Sequence, residues 1–177
     1  MLSAMTLVSL RAGRLALDLA PDAGGSVARF AAGDFELWRP ATAEAIASGR
    51  GNNSACYPLV PFSGRIANGH FAFEGREIEV PLTSPDFRHP IHGDGWINPW
   101  GVTRKDAQSA ELVYEHDGKT GWPFRYVARQ SFQLTEDALA IRMSIENREG
   151  HAVPAGLGEH PFFTRTPDAM LTTRTRY

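Results

Sequence analysis

The chain has 177 residues, of which 42% are hydrophobic and 21% charged, and its formal net charge at pH 7 is −2. This is an ordinary globular composition with enough residues for one sizeable core, so we expect a single domain over residues 1–177. The near-zero charge gives no electrostatic footprint for nucleic acid or an anionic membrane surface, and we expect neither as a partner.

The cysteine count and the N-terminal sequence indicate the cellular compartment. Cys56 is the only cysteine, which excludes an intrachain disulfide and fits a reducing environment. We interpret it as a small buried hydrophobe. The apolar N-terminus precedes Arg11 and Arg14, the wrong order for a secretory signal, and no run approaches the ~20 apolar residues of a membrane span. We therefore expect a cytoplasmic protein.

The first third of the chain predicts a hairpin and one short helix. Alternating apolar residues over 15–19 and the strand-like stretch 27–30 flank a turn at 21–25, and residues 35–39 continue the pattern. Residues 41–47 contain good helix formers but are too few to stand alone. We predict one or two helical turns there.

The rest of the chain alternates repeatedly with period two. Residues 71–73 and 78–80 predict a second hairpin, and residues 111–115, 124–134 and 139–145 predict three longer strands. Almost no helical periodicity accompanies them. These strands and turns predict an all-β fold, a large antiparallel β-sandwich.

The C-terminal residues 171–177 carry strand-forming types and then stop. We expect the sandwich to be incomplete at this end, with an open sheet edge. Unpaired strand edges invite pairing with another chain, so the sequence predicts self-association.

Proline, glycine and two polar side chains crowd the loops between the predicted strands. Pro58 and Pro61 stiffen the backbone before Arg65, whose guanidinium could offer a fork of donors to substrate oxygens. The alternative is an arginine paired with a carboxylate or a backbone carbonyl. His92 precedes Gly93, a small neighbour that would let a ligand approach, although an ordinary loop histidine remains the alternative.

His160 has a sharper local setting. Gly156 and Gly158 have no side chains and so leave space near His160. Pro161 favours extended backbone before it, and residues 162–163 supply apolar surface that can exclude water. An imidazole in such a place could act as a general acid or base. The remaining histidines lie by turns or on exposed faces, and we expect their side chains to be exposed to solvent: His70, His89, His116 and His151.

Other chemistries have weaker signals. His89 and His92 are three residues apart, but no second close pair or cysteine set completes a tetrahedral metal site, so we expect no metal and keep a cupin-like metal enzyme only as an alternative. The chain lacks the phosphate-binding glycine loops and the serine-hydrolase elbow. We expect no cofactor.

Three segments, residues 57–75, 89–93 and 156–163, resemble in order and spacing the signature segments of the aldose 1-epimerase (galactose mutarotase) family. The resemblance covers nearly the whole chain and implies the family's galactose mutarotase-like β-supersandwich and a cleft for a small-molecule sugar. Position by position, Arg65 resembles the substrate-binding arginine, His92 the first active-site histidine, and His160 the second, which serves as general acid.

This chain departs from the family pattern at three points. Gly64 stands where an asparagine is usual, and Phe162 where a tyrosine is usual. Family members also run further and supply a substrate-binding aspartate and a glutamate base that match nothing here, so the chain resembles the N-terminal portion of a mutarotase. Glu159 is a poor substitute for the base, because adjacent strand residues point to opposite faces.

The resemblance implies interconversion of the α and β anomers of a hexose such as galactose or glucose. His160 would protonate the ring oxygen, His92 and Arg65 would hold sugar oxygens, and Trp96 or Phe163 could pack on the C–H face of the sugar. A non-catalytic carbohydrate-binding or regulatory protein on the same fold is the alternative. A base missing from this chain would leave it a poor catalyst alone.

Overall fold

The fold is described from a computed structural model, over residues 7–174. One helix, α1 (Ala43–Ala47), and three single 3-10 turns interrupt a chain of strands. The strands are β1 (Val8–Ala12), β2 (Leu15–Ala20), β3 (Ser26–Ala32), β4 (Phe35–Glu36), β5 (Pro58–Leu59), β6 (His70–Phe73), β7 (Arg76–Glu79), β8 (Gly101–Lys105), β9 (Ser109–His116), β10 (Tyr126–Leu134), β11 (Leu139–Asn147) and β12 (Gly158–Glu159).

The strands form two larger antiparallel sheets. One has the order β1-β2-β3-β4 and the other β11-β10-β9-β8, while β5 pairs with β12 and β6 with β7. All neighbours in each large sheet are consecutive in sequence, so short turns close most of the pairings. The antiparallel all-β prediction is confirmed.

The core lies between the two large sheets. Leu10 and Leu17 on β1 and β2 belong to the same buried cluster as Leu112, Phe132 and Leu134 on β9 and β10. Period-two alternation directs these side chains to one face of each sheet. Burying each one stabilises the fold by about 1.5–3 kcal/mol, so the leucine alternation read from the sequence forms the contact between the sheets.

A buried amide also links the two sheets. Gln130 lies on the inner face of β10, where it is almost fully buried. Its Nε2 donates at 2.9 Å to the carbonyl of Gly25, in the turn before β3. A buried amide without a partner would cost about 1–3 kcal/mol, so this bond fixes the turn against the second sheet.

The predicted elements agree with the structure in type. Both hairpins form, as β2–β3 and β6–β7. The short helix forms as α1, with the Thr42 side chain accepting a hydrogen bond from Ala45 N at its start. The strand predicted from Phe124 begins two residues later, at Tyr126.

The described C-terminal residues contribute less to the strands than the sequence suggested. Residues 171–174 are exposed coil, not strand, and residues 175–177 lie outside the described part, as does most of the apolar N-terminus. Along residues 7–174, no helix has the length and apolar character needed to cross a membrane.

The described structure gives the expected self-association a specific surface. β11 has nine residues and, within residues 7–174, pairs on one side only, with β10. One face of β11 carries four half-buried apolar side chains, Leu139, Ile141, Met143 and Ile145. A strand edge of this length next to an apolar face favours pairing with another chain.

We expect the sedimentation coefficient of the chain to rise with concentration. Met143→Lys places a charge on the apolar face of β11 and should shift the chain towards monomer. Ser144→Lys, on the opposite face of the same strand, is the matched control and should leave association unchanged. A wild-type chain that sediments as a stable monomer over a wide concentration range would contradict this expectation.

Candidate functional site

The candidate site forms where a late segment of the chain lies beside an early one. β12 pairs with β5 in antiparallel register. The pairing continues past both strands, because His160 N donates to the Tyr57 carbonyl at 3.0 Å and Phe162 N donates to the Ala55 carbonyl at 2.9 Å. The late histidine segment therefore runs alongside the proline-rich loop segment.

Aromatic stacking fixes the orientation of the His160 ring. Its centroid lies 4.8 Å from that of Tyr57, with only 11° between the planes, and 4.8 Å from that of Phe162. A ring held by two aromatic neighbours has little rotational freedom, so His160 presents its nitrogens in a fixed direction. The structure also brings His92 close, with 5.6 Å between the two imidazole centroids in an edge-on arrangement.

His92 is held by reciprocal bonds to one residue. Its backbone N–H donates to the Gly64 carbonyl at 2.9 Å, and its side-chain Nδ1 accepts from Gly64 N at 3.0 Å. Because Nδ1 is an acceptor here, the neutral ring carries its proton on Nε2. His92 is therefore arranged as a donor from Nε2.

The backbone at His92 has an unusual conformation. His92 and Gly93 have φ values of 61° and 70°, in the left-handed region that side chains rarely adopt. At Gly93 a Cβ atom would lie 2.1 Å from the Val60 carbonyl oxygen, so only glycine fits. Sparsely populated backbone of this kind often marks a functional site.

Arg65 lies next to His92 because their segments are paired. Arg65 forms an isolated antiparallel bridge with Ile91, and Ile66 N donates to the Pro90 carbonyl at 3.2 Å. The Arg65 residue is exposed. The structure thus brings together Arg65, His92 and His160, and the catalytic or binding role of each stays a prediction.

Local charge and burial act on His92 in the same direction. Burial of the ring, the neighbouring His160 and the positive charge of Arg65 together lower the pKa of His92 to about 4. At neutral pH, His92 is therefore an uncharged imidazole that can donate a hydrogen bond but has no extra proton to transfer. His92 is therefore not suited to the role of acid.

The neighbours of Tyr57 and His160 point to the opposite side of the paired segments. Cys56 is fully buried, as predicted, and its Sγ donates to Glu159 Oε2 at 3.4 Å. Glu159 Oε1 is inaccessible to solvent and finds no hydrogen-bond partner among residues 7–174. Burial raises the pKa of Glu159 to about 7, although the Cys56 hydrogen bond acts in the other direction. Glu159 thus faces away from the two imidazoles.

The prediction for His116 was wrong. We assigned it to solvent because it precedes a turn, but it is 6% exposed and lies 2.7 Å from an Asp94 carboxylate oxygen. Asp94 also accepts hydrogen bonds from Tyr126 and Tyr114. The partners of His116 come from a distant loop and a neighbouring strand, which local sequence cannot reveal.

The prediction that Trp96 packs on the sugar was also wrong. Trp96 is 2% exposed and its Nε1 donates to the Ile91 carbonyl, so its face is unavailable to a ligand. Phe163 is 59% exposed but packs edge-on against Trp38, outside the histidine cluster. Tyr57 was missed because it reaches His160 only through the pairing of β5 with β12, which local sequence does not reveal.

The histidines that the metal alternative invoked have separate backbone partners. His89 Nδ1 accepts from Asn68 N at 3.0 Å, whereas His92 Nδ1 accepts from Gly64 N. In the described part of the chain, no three His, Cys, Asp or Glu side chains gather closely enough to hold a metal ion.

Comparison with known proteins gives a consistent family. Residues 6–174 match the model of the family described as aldose 1-epimerase. The uncharacterized protein YphB of Escherichia coli K12 is 33% identical over 167 residues, which are 94% of this chain and 55% of YphB. YihR of the same organism is 28% identical over 107 residues, or 60% of this chain and 35% of YihR.

Solved structures share the fold. A candidate aldose 1-epimerase from Escherichia coli K12 superposes with a TM-score of 0.83 at 34% identity, covering 92% of this chain and 53% of that one. Slr1438 from Synechocystis gives a TM-score of 0.78 at 21% identity, covering 93% and 56%. The chain spans about half the length of these relatives.

The pKa of His92 tests the arrangement of the cluster. Arg65→Gln removes a nearby positive charge, so we expect the pKa of His92 to rise from about 4. Arg76→Gln, on the exposed β6–β7 hairpin, is the control and should leave it unchanged. NMR titration of the imidazole measures both. An unchanged value in Arg65→Gln would mean that the guanidinium does not act on His92.

The same shift has a defined sign for stability. Since the folded chain binds the His92 proton less readily than the unfolded chain does, the stability from neutral His92 is complete above about pH 6.5 and is lost as the pH falls towards 4. Thermal unfolding of His92→Gln should therefore depend less on pH in this window than that of the wild type.

Proposed function

Because this chain belongs to the aldose 1-epimerase family, we propose that it binds a hexose such as galactose or glucose and takes part in the interconversion of the α and β anomers. The observation that carries the proposal is the convergence of His92 and His160, whose rings lie 5.6 Å apart although one stands in an early loop and the other in a late strand segment. An oriented imidazole beside a neutral donor suits proton transfer to a sugar oxygen.

The reaction requires an acid and a base at one acetal centre. The base removes the proton from the anomeric hydroxyl while the acid gives a proton to the ring oxygen, so the C1–ring oxygen bond breaks, C1 turns over and the ring recloses. We assign the acid role to His160, whose stacked ring has a fixed direction. His92, with its proton on Nε2, donates a hydrogen bond to a sugar oxygen, and Arg65 supplies positive charge nearby.

Both carboxylates that are close to the histidines in sequence have other partners. Asp94 accepts hydrogen bonds from Tyr114 and Tyr126 and is paired with His116. Glu159 turns towards Cys56. We therefore propose that the base comes from outside residues 7–174, and that this chain alone is a poor catalyst.

Because Asp94 and Glu159 already have other partners, a second candidate function is also favoured. This is carbohydrate binding without catalysis. Sugar binding needs the donors of His92, His160 and Arg65 but no base. The single, fully buried Cys56 suits the reducing cytoplasm that we propose as the compartment.

Polarimetry on freshly dissolved α-D-galactose or α-D-glucose tests the proposal. The 177-residue chain is compared with a chimera in which the C-terminal part of YphB follows residue 174. We expect the chimera to be faster by about 10²–10⁴-fold, the usual contribution of one acid–base group. His160→Gln should remove a similar factor from the chimera, whereas His151→Gln, at an exposed position, should not.

The results of these measurements distinguish a mutarotase from a binding protein and test the site assignment. If the short chain equals the chimera and His160→Gln abolishes its activity, the base lies within residues 1–177 and our assignment of the carboxylates is wrong. If sugar binds in calorimetry but neither chain accelerates the anomer change, the binding protein is favoured. If His160→Gln changes neither binding nor rate, the site assignment fails.

A further inference from the structure

A buried cluster of polar side chains lies beneath the loop that carries His92. Its centre is His116, at the end of β9. His116 Nδ1 is 2.7 Å from an Asp94 carboxylate oxygen, and Nε2 is 2.6 Å from the Trp122 carbonyl oxygen. Both partners only accept hydrogen bonds, and a neutral imidazole donates from one nitrogen alone. With Asp94 as a carboxylate, the geometry therefore favours a doubly protonated His116 imidazolium.

The surroundings of His116 favour this charged form. Burial opposes protonation, but the hydrogen bond and charge of Asp94, together with Asp117 in the following turn, outweigh it and raise the pKa of His116. Tyr126 on β10 stacks on the ring at 4.9 Å, and the Tyr114 hydroxyl on β9 lies 3.3 Å from Nδ1. The tyrosine hydroxyls also donate to Asp94, so the carboxylate is held by three side chains.

The backbone next to His92 is held in place at Asp94 by hydrogen bonds to a single carbonyl group. The backbone N–H groups of Asp94 and Gly95 both donate to the Val60 carbonyl at 3.1 Å. A Cβ atom on Gly93, between Asp94 and His92, would lie 2.1 Å from the same carbonyl oxygen, so this backbone passes close to Val60. The contacts that hold the Asp94 side chain to β9 and β10 therefore also determine where the His92 backbone lies. We call these contacts the tether.

We propose that Asp94 and His116 are positioning residues of the sugar site: their buried ion pair fastens the His92 loop to β9 and β10 and so points the His92 imidazole towards His160. The sugar part of this inference rests on the proposed function, whereas the loop part does not. Loss of the His116 proton weakens the tether, so the His92 arrangement loosens at alkaline pH.

NMR on the chain with labelled histidine and backbone nitrogens tests this inference. The two reporters are the His92 imidazole and the Gly64 amide, which donates to it. In the wild type at pH 7, both His116 nitrogens should carry protons. In His116→Gln we expect the His92 signals to shift and the Gly64 amide to exchange about tenfold faster, while core amides such as that of Leu17 change less.

Two matched variants separate positioning from a general loss of structure. Tyr114→Phe removes one hydroxyl from the same cluster but keeps the ion pair, and His70→Gln removes an exposed imidazole. Both should leave the His92 and Gly64 signals as in the wild type. A neutral His116 at pH 7, or unchanged reporters in His116→Gln, would overturn the inference.

If His116→Gln does not fold, a pH titration of the wild type alone tests the inference. As the pH rises, the His92 and Gly64 signals should shift with the same midpoint as His116, and signals that stay constant while His116 titrates would overturn the inference. Galactose affinity is the second readout, about tenfold weaker in His116→Gln, which equals about 1.4 kcal/mol or one misplaced hydrogen bond. If the wild type binds no sugar, the proposed function fails, and the NMR result still decides whether the pair positions His92.

Discussion

The site depends on the register of the pairing between β5 and β12. Side chains alternate along paired extended segments, so the register that puts Tyr57 and His160 on one side puts Cys56 and Glu159 on the other. A slip of one residue would exchange the two sets and replace the imidazole by a carboxylate. The hydrogen bond from His160 N to the Tyr57 carbonyl fixes this choice.

The two histidines are held by different physical means. His160 is fixed by sheet register and by contacts of its ring with both Tyr57 and Phe162. His92 stands on a loop with left-handed backbone, where reciprocal bonds to Gly64 and the buried Asp94 cluster take the place of a strand. We therefore expect His92, and not His160, to be the histidine whose position responds to changes elsewhere in the fold.

Local pattern predicted most of the fold but only part of the site. The hairpins β2–β3 and β6–β7 follow from alternation and turns within a few residues, so the sequence contains their whole cause. Arg65, His92 and His160 were singled out by their local sequence, and a family resemblance gave them roles that stay predictions, although the matched model supports the family itself. His116 and Trp96 were misplaced because their burial depends on tertiary partners that no local pattern encodes.

Galactose soaked into crystals of the chain tests the central claim most directly, because it shows whether the two converging segments form one sugar site. We predict density for the sugar beside the His160 ring, with its ring oxygen within hydrogen-bond distance of His160 and another oxygen accepting from His92 Nε2. Sugar bound elsewhere on the surface, with His92 and His160 both free of contact, would contradict the account.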